Sequence, residues 1–302
     1  MKFYKPKVTE FNIADGKYIP IGLPTIDDAI NDLEPAALTI FSGRSNEGKT
    51  TVLKQTIAHA IDNGFNVCVI NAEEKKQTFE NDIWRMVIGN KPDYYELKKV
   101  NKKYMRVPNA KARPLLNNWL DDRLTIGEKE DLADLDKLFI TIKKQVETGK
   151  HDLLIIDNLM ALLDTTQAEK NAKQANFVEN CKLTCYQTGV HIMLVTHPSK
   201  EYRPGITPIM EHISGASEIY AKADNILFIT RIDSGEDFAN GINGYVYILK
   251  CRYHSTREVC NLHYDKETAT LCEIKDGRIK RYNFNLENHI IADHTVQSPF
   301  DI

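Results

Sequence analysis

Short apolar runs alternate with stretches of amphipathic spacing along most of the chain. Ala37–Ser42 (ALTIFS) is a continuous apolar run that leads into a glycine. Thr51–Asn63 then places Val52, Leu53, Ile57, Ala60 and Ile61 on one helical face, and Gly64 ends it. Asn66–Ala72, Leu153–Asp157, His191–Thr196 and Asn225–Arg231 repeat the apolar run. Ala168–Thr188 has the length and polarity of a connecting helix, stopped by Gly189 before the His191 run. Short runs without polar alternation suit strands buried on both faces. The pattern therefore predicts an α/β fold, a mostly parallel sheet with helices on both faces. After Arg231 the spacing changes. Tyr245–Lys250, Val259–Tyr264 and Thr270–Ile274 are short and joined by polar turns, which predicts an antiparallel C-terminal extension of the sheet. Residues 1–17 read as an arm and 276–302 as a tail around one core at 18–275.

Composition narrows the class. The 302 residues are 42% hydrophobic and 27% charged, enough to bury a core without metal or disulfide staples. Collagen-like, low-complexity and wholly disordered classes are excluded. Thirty-nine Lys and Arg against 42 Asp and Glu leave a net charge of −3, which argues against a bulk-basic nucleic-acid coat protein. Nucleic-acid contact would need a local patch, or charges gathered by oligomerisation. The stretch Glu96–Arg113 (ELKKVNKKYMRVPNAKAR) is one such patch, inside a Lys75–Lys150 segment long for a single crossover. It reads either as a phosphate-contacting surface or as a solvated helix-and-loop face. The N-terminus carries no signal-peptide pattern, and no apolar run reaches the roughly 18–20 residues of a membrane span. Six cysteines without a Cys-x-x-Cys pair fit free thiols in a reducing cytoplasm. Cys181 and Cys185 lie four apart, but zinc would need two more ligands.

The strongest chemical signal is Gly43-Arg-Ser-Asn-Glu-Gly48-Lys49-Thr50, a complete G-x-x-x-x-G-K-[ST] between a strand and a helix. Such a loop curls so that successive backbone N–H groups point inward around phosphate oxygens, and its glycines permit the close approach. Lys49 is expected at the β- and γ-phosphates, and the Thr50 hydroxyl at Mg²⁺. The helix N-terminus adds its dipole. Asn46 and Thr51 complete the expected contact set for ATP. A second acid must hold the metal's water shell, and Asp157 at the end of an apolar run supplies it. Asn158 follows, not Glu, so the group that activates water must come from elsewhere. Glu73 and Glu74, after the Asn66–Ala72 run, offer a carboxylate beside the phosphate loop. Helix capping is the other use for either of them.

In this order the motifs resemble the hexameric replicative DNA helicases with a RecA-type motor, the DnaB-like family. The nearest branch is the helicase half of bacteriophage primase-helicases and Twinkle. The resemblance spans about Gly22 to Leu271. It includes Gly22-Leu-Pro-Thr-Ile-Asp-Asp, Gly43–Thr50, Asn71-Ala-Glu73-Glu74, Leu154–Asn158 and Val195-Thr-His197. Further on come Ser214-Gly-Ala-Ser217 with Ala223-Asp224-Asn225, then Lys250-Cys-Arg252 and Tyr264-Asp-Lys-Glu-Thr. It implies a RecA-like ATPase core with Glu73 as catalytic base and His197 as γ-phosphate sensor. Arg252, with Lys250, is implied as a finger acting on the neighbouring subunit's ATP. It implies Tyr264 against the nucleotide base, with an ordinary strand aromatic as the alternative. Lys200 and Arg203, in the Pro198–Ser214 loop, are implied as contacts to single-stranded DNA in a ring channel. A primase domain and a long linker helix have no counterpart here.

The resemblance thus implies an ATP-dependent helicase, a homohexameric ring on single-stranded and forked DNA. A separate primase or polymerase is an implied partner. A RecA-like recombinase or mediator, and a helicase-loader-like ATP-binding assembly module, share the same nucleotide signals.

Overall fold

The computed structural model describes residues 17–71, 73–100, 103–127, 135–157, 167–214, 217–254 and 256–286. The expected arm up to residue 16, the tail beyond 286, Asn158, and Gly215-Ala216 of the Ser214–Ser217 motif lie outside the described residues.

In chain order the elements are α1 (Pro24–Ile30), β1 (Leu38–Ser42), α2 (Lys49–Asp62), β2 (Val67–Asn71) and α3 (Lys76–Ile88). There follow β3 (Tyr95–Val100), β4 (Lys103–Pro108), α4 (Ala112–Leu120), β5 (Leu124–Gly127) and α5 (Leu135–Glu147). Then come β6 (Leu153–Asp157), α6 (Gln167–Thr188), β7 (His191–Thr196), α7 (Ser217–Lys222) and β8 (Asn225–Arg231). The chain closes with α8 (Glu236–Ala239), β9 (Gly244–Cys251), β10 (Val259–Asp265), β11 (Thr270–Lys275) and β12 (Arg278–Lys280).

Among the described residues one sheet runs β12-β11-β10-β9-β8-β1-β7-β6-β2-β5. The strands from β8 to β5 are parallel, and β9 to β12 extend them antiparallel. This is the expected mostly parallel sheet with its antiparallel extension. Each central strand feeds two cores by simple alternation. Phe41, Val69, Ile155, Val195 and Leu227 face α1 to α4 on one side. Ile40, Ile70, Ile156, Leu194 and Phe228 face α5 and α6 on the other. Cys181 and Cys185 are buried in that second core. No helix among the described residues is long and apolar enough to cross a membrane.

Two regions differ from the sequence pattern. The basic stretch is a β-hairpin, β3 paired with β4, not helix and loop. Its Lys-rich composition hides the strand-forming residues Tyr95, Leu97, Val100, Tyr104 and Val107, which keep no strict two-residue alternation. The segment expected as a tail begins within the sheet as β12, and Phe284 and Leu286 are buried in the first core. The Tyr282 hydroxyl donates to the Gly22 and Leu271 carbonyls, and Gln55 Nε2 of α2 donates to Leu271 O at 3.0 Å. Few apolar residues in 276–286 announce this burial, because polar Tyr282 and Gln55 carry the joint.

Candidate active site

Register brings the ends of four neighbouring strands level. Ser42 pairs with Thr196, and Asn71 with Asp157. The residues that follow each end therefore emerge on one edge, the C-terminal edge where open α/β sheets bind ligands.

The phosphate loop leaves β1 at Gly43. A Cβ there would lie 2.6 Å from Ile229 Cγ2 and 2.7 Å from the Ile229 carbonyl, so the loop packs on β8 without room for a side chain. Gly48 caps α2 at φ +104, and a Cβ would meet Leu271 at 2.8 Å. Asn46 takes a left-handed φ of 66. Lys49 Nζ donates to the carbonyls of Gly43 at 2.7 Å and Arg44 at 2.9 Å, folded back along the loop. Burial lowers its pKa, with Asp157 and Glu73 opposing that shift.

Below the loop, Thr50 Oγ1 donates to Asp157 Oδ2 at 3.1 Å. Asp157 Oδ1 is buried without a hydrogen-bond partner, as are the Ser42 and Thr196 hydroxyls on the adjacent strand ends. An orphaned buried polar atom costs roughly 1–3 kcal/mol, so three at one edge mark a place shaped for a polar ligand. Burial first, then the Glu73 charge, pushes Asp157 up to about 6. Both effects are relieved by a cation. This hard-oxygen set fits Mg²⁺, with Thr50 and Asp157 as the residues that would hold it.

Glu73 and Glu74 divide the work between them. Asn71 Oδ1 accepts from the Glu73 and Glu74 amides at 3.3 and 3.0 Å, and its Nδ2 donates to Glu74 O at 3.0 Å. This side-chain turn fixes both residues past the strand. Glu74 reaches back to Lys54 Nζ at 2.6 Å, which Asp82 also meets at 2.7 Å. Glu73 points to the other side, with Oε1 3.6 Å from His197 Nε2. Burial first, then the Lys49 ammonium, lowers the His197 pKa against the pull of Glu73. Its imidazole is therefore neutral at pH 7.

A cavity of about 810 Å³ opens above this edge. Asn46, Gly48, Lys49, Thr50, Thr51, Glu73 and His197 line it on one side, Tyr264 and Lys266 on the other. Tyr264 is 40% exposed, its amide held by Asn243 Oδ1 at 2.7 Å. The clamp residue Asn71 and the cavity-lining Phe238, Asn243 and Lys266 are absent from the sequence-derived site. Asn71 carried a signal, a turn-forming Asn directly after an apolar strand. Lys266 sits inside the Tyr264-Asp-Lys-Glu-Thr stretch, which implied no role for it. Phe238 and Asn243 lie between β8 and β9, where no motif marks them.

Lys250 and Arg252 do not line this cavity. Lys250 Nζ donates to Tyr220 O at 2.8 Å and Ala221 O at 3.2 Å, and Arg252 Nη2 to Ala221 O at 2.8 Å. Arg252 Nε lies 3.5 Å from the buried Asp224. Lys250 near the end of β9 and Arg252 just past it thus both reach the Ala221 carbonyl of α7. Burial, then the Arg252 charge, lowers the Lys250 pKa.

Lys200 and Arg203 are exposed in the loop that begins at His197. The loop closes on itself, with Ser214 N donating to His197 O at 3.1 Å and Ser199 N to His212 O at 2.7 Å. Tyr202 anchors it, its ring 4.9 Å from that of Phe228.

No curated protein sequence matches the chain. Among solved structures, one isolated ATPase domain superposes with a TM-score of 0.68 at 17% identity, covering 87% of this chain and 94% of that one. A DnaB-like replicative helicase, described with its interactions with primase, also gives 0.68 at 17% identity, over 87% of this chain and 64% of that one. The RadB recombinase gives 0.59 at 14% identity, over 85% and 100%. The fold is thus that of RecA-like helicase ATPase domains. The AAA domain family pattern matches residues 13–203, most of the chain and all of the phosphate-loop edge, and the protein belongs to that family.

Proposed function

We propose that the protein is an ATP-driven DNA helicase of replicative type, working as a ring with nucleotide between subunits. One observation carries this reading. Glu73, His197, Lys49 and Asp157 converge at one edge, while Lys250 and Arg252 stand together outside the same chain's cavity. In this reading Lys250 and Arg252 serve the nucleotide bound by the neighbouring subunit.

In this reading Lys49 exchanges its loop carbonyls for phosphate oxygens. Glu73, fixed by Asn71, takes the proton of the attacking water. Mg²⁺, when bound, neutralises charge on the phosphates. His197 carries the state of the phosphate edge into the loop closed on its carbonyl. Through that loop Lys200 and Arg203 grip a single strand. Tyr264 offers its exposed ring to the base. A separate primase or polymerase is the expected partner, given the DnaB-like neighbour solved for its primase interactions.

The likeness to the RadB recombinase favours a second reading, a filament-forming recombinase. A strand-displacement assay on forked DNA with ATP, run beside particle mass, separates them. Unwinding by a closed ring is expected, abolished by Lys49→Ala. Open filaments without unwinding would overturn the helicase reading.

A further inference from the structure

The β3–β4 hairpin belongs to neither the nucleotide edge nor the His197 loop. It is bolted down at its base. Arg106 Nη1 donates to Gly89 O at 3.0 Å, its Nη2 pairs with Glu267, and its guanidinium sits 4.6 Å over the Tyr95 ring. Asn109 ties the exit of β4 back to Tyr94 O at 3.1 Å and Asp93 O at 2.9 Å. An isolated two-stranded hairpin is marginal in water, so this anchoring makes it a fixed platform.

Beyond the Arg106 anchor, the rest of the face that carries it is exposed. Lys99 lies opposite Tyr104, and Leu97 opposite Arg106, so these side chains share one face. Tyr104 at 69% and Leu97 at 62% are the two most exposed large apolar side chains among the described residues. On the other face Lys98 pairs with Glu96 at 3.0 Å. From Leu97 to Arg113 the sequence carries seven Lys or Arg and no Asp or Glu, in a chain of net charge −3. An exposed aromatic and aliphatic surface set in such a cationic run complements a polyanion that also offers flat apolar faces.

We infer that the Leu97–Lys99–Tyr104 face of this hairpin is a second nucleic-acid contact, binding single-stranded polynucleotide by base stacking on Tyr104 and phosphate pairing with Lys99. Unstacked bases suit an exposed aromatic, and the stacking tolerates any sequence. This contact does not depend on the helicase reading.

The test is fluorescence anisotropy of labelled oligo(dT) with the full chain, titrated at several salt concentrations. Tyr104→Ala is expected to weaken binding about five- to a hundredfold. Lys99→Ala should lower the slope of log K against log salt by about 0.7. Glu96→Gln/Lys98→Gln on the opposite face should leave both unchanged, as should ATP hydrolysis without DNA in all three variants. Lys200→Ala/Arg203→Ala reads the channel loop separately. Wild-type affinity in Tyr104→Ala and Lys99→Ala would overturn the inference. So would equal weakening on blunt duplex. Loss of self-association with oligo(dT) binding retained would reassign the face to a protein partner.

Discussion

At the ends of β1, β7, β6 and β2 the chain holds Lys49, Asp157, Glu73 and His197 against one another. At the end of β9 it leaves Lys250 and Arg252 leaning on the last carbonyls of α7. The first region is fixed by buried contacts. Gly43 is pressed on Ile229, the Lys49 ammonium is held by two carbonyls, and Asn71 clamps the two glutamates. The second rests on half-exposed hydrogen bonds that water can replace. Arg252 leans on the Ala221 carbonyl and on the buried Asp224, while its own side chain is 37% exposed. The edge is held by buried contacts, and the Lys250–Arg252 pair by partly exposed ones.

The largest effect should come from the loosely held region. In the assembled protein Arg252→Ala is expected to cut ATP hydrolysis by about 10³–10⁵, the usual worth of such a finger, while nucleotide affinity stays within a few-fold. Mixing Arg252→Ala with Lys49→Ala then distinguishes the two regions. A mixed ring contains interfaces where an intact loop meets an intact Arg252, so activity should return in part. A mixture as inactive as its components would place Arg252 on its own chain's nucleotide and erase the contrast.

Next in size is the division between the glutamates. Glu73→Gln should lower hydrolysis by about 10²–10⁴ without loss of nucleotide binding. Glu74→Gln should leave the rate within a few-fold and instead lower the melting temperature, because Lys54, nearly buried, keeps only Asp82 as a full counter-charge. Single-turnover hydrolysis beside thermal melts reads both. A rate loss in Glu74→Gln equal to that in Glu73→Gln would remove the assignment.

The contrast also explains what was legible in the sequence. The buried edge was, because each demand there selects a residue type. Gly43 is needed where no Cβ fits, Thr50 and Asp157 where hard oxygens meet, and an apolar run where β6 is covered on both faces. The residues around them left Glu73 and Glu74 interchangeable, since their division depends on Lys54 and Asp82 from two other elements, and the family resemblance alone singled out Glu73. The resting place of Lys250 and Arg252 was equally hidden, because β9 meets β8 through a register shift at Ile226/Leu227. The hairpin and the β12–Leu286 segment were missed for a common reason. The hairpin's strand positions are flanked by lysines, and Phe284 and Leu286 are docked through the polar Tyr282–Gln55 joint, contacts that only the tertiary structure reveals.

The smallest effect concerns how the fixed region responds to acid. His59 of α2 lies beneath Gly22, its ring 4.6 Å from Tyr282 and 4.9 Å from Phe284, and burial pushes its pKa down to about 4. The unfolded chain protonates this imidazole near pH 6.5, so it binds more protons than the folded state between there and about 4. Stability from this group is therefore complete above pH 6.5 and lost as pH falls towards 4. The loss is about 2 kcal/mol at pH 5, from roughly 1.4 kcal/mol per pH unit. His191, buried and also held near 4, has the same sign on the β7 side. His59→Phe keeps an aromatic ring in the pocket and removes the titration. Its denaturation midpoint should therefore fall less steeply than wild type between pH 7 and 5, while the exposed α7 contacts of Lys250 and Arg252, which carry no histidine, add nothing to the slope. Identical pH slopes in wild type and His59→Phe would show that acid does not act through the joint between α2 and the C-terminal segment.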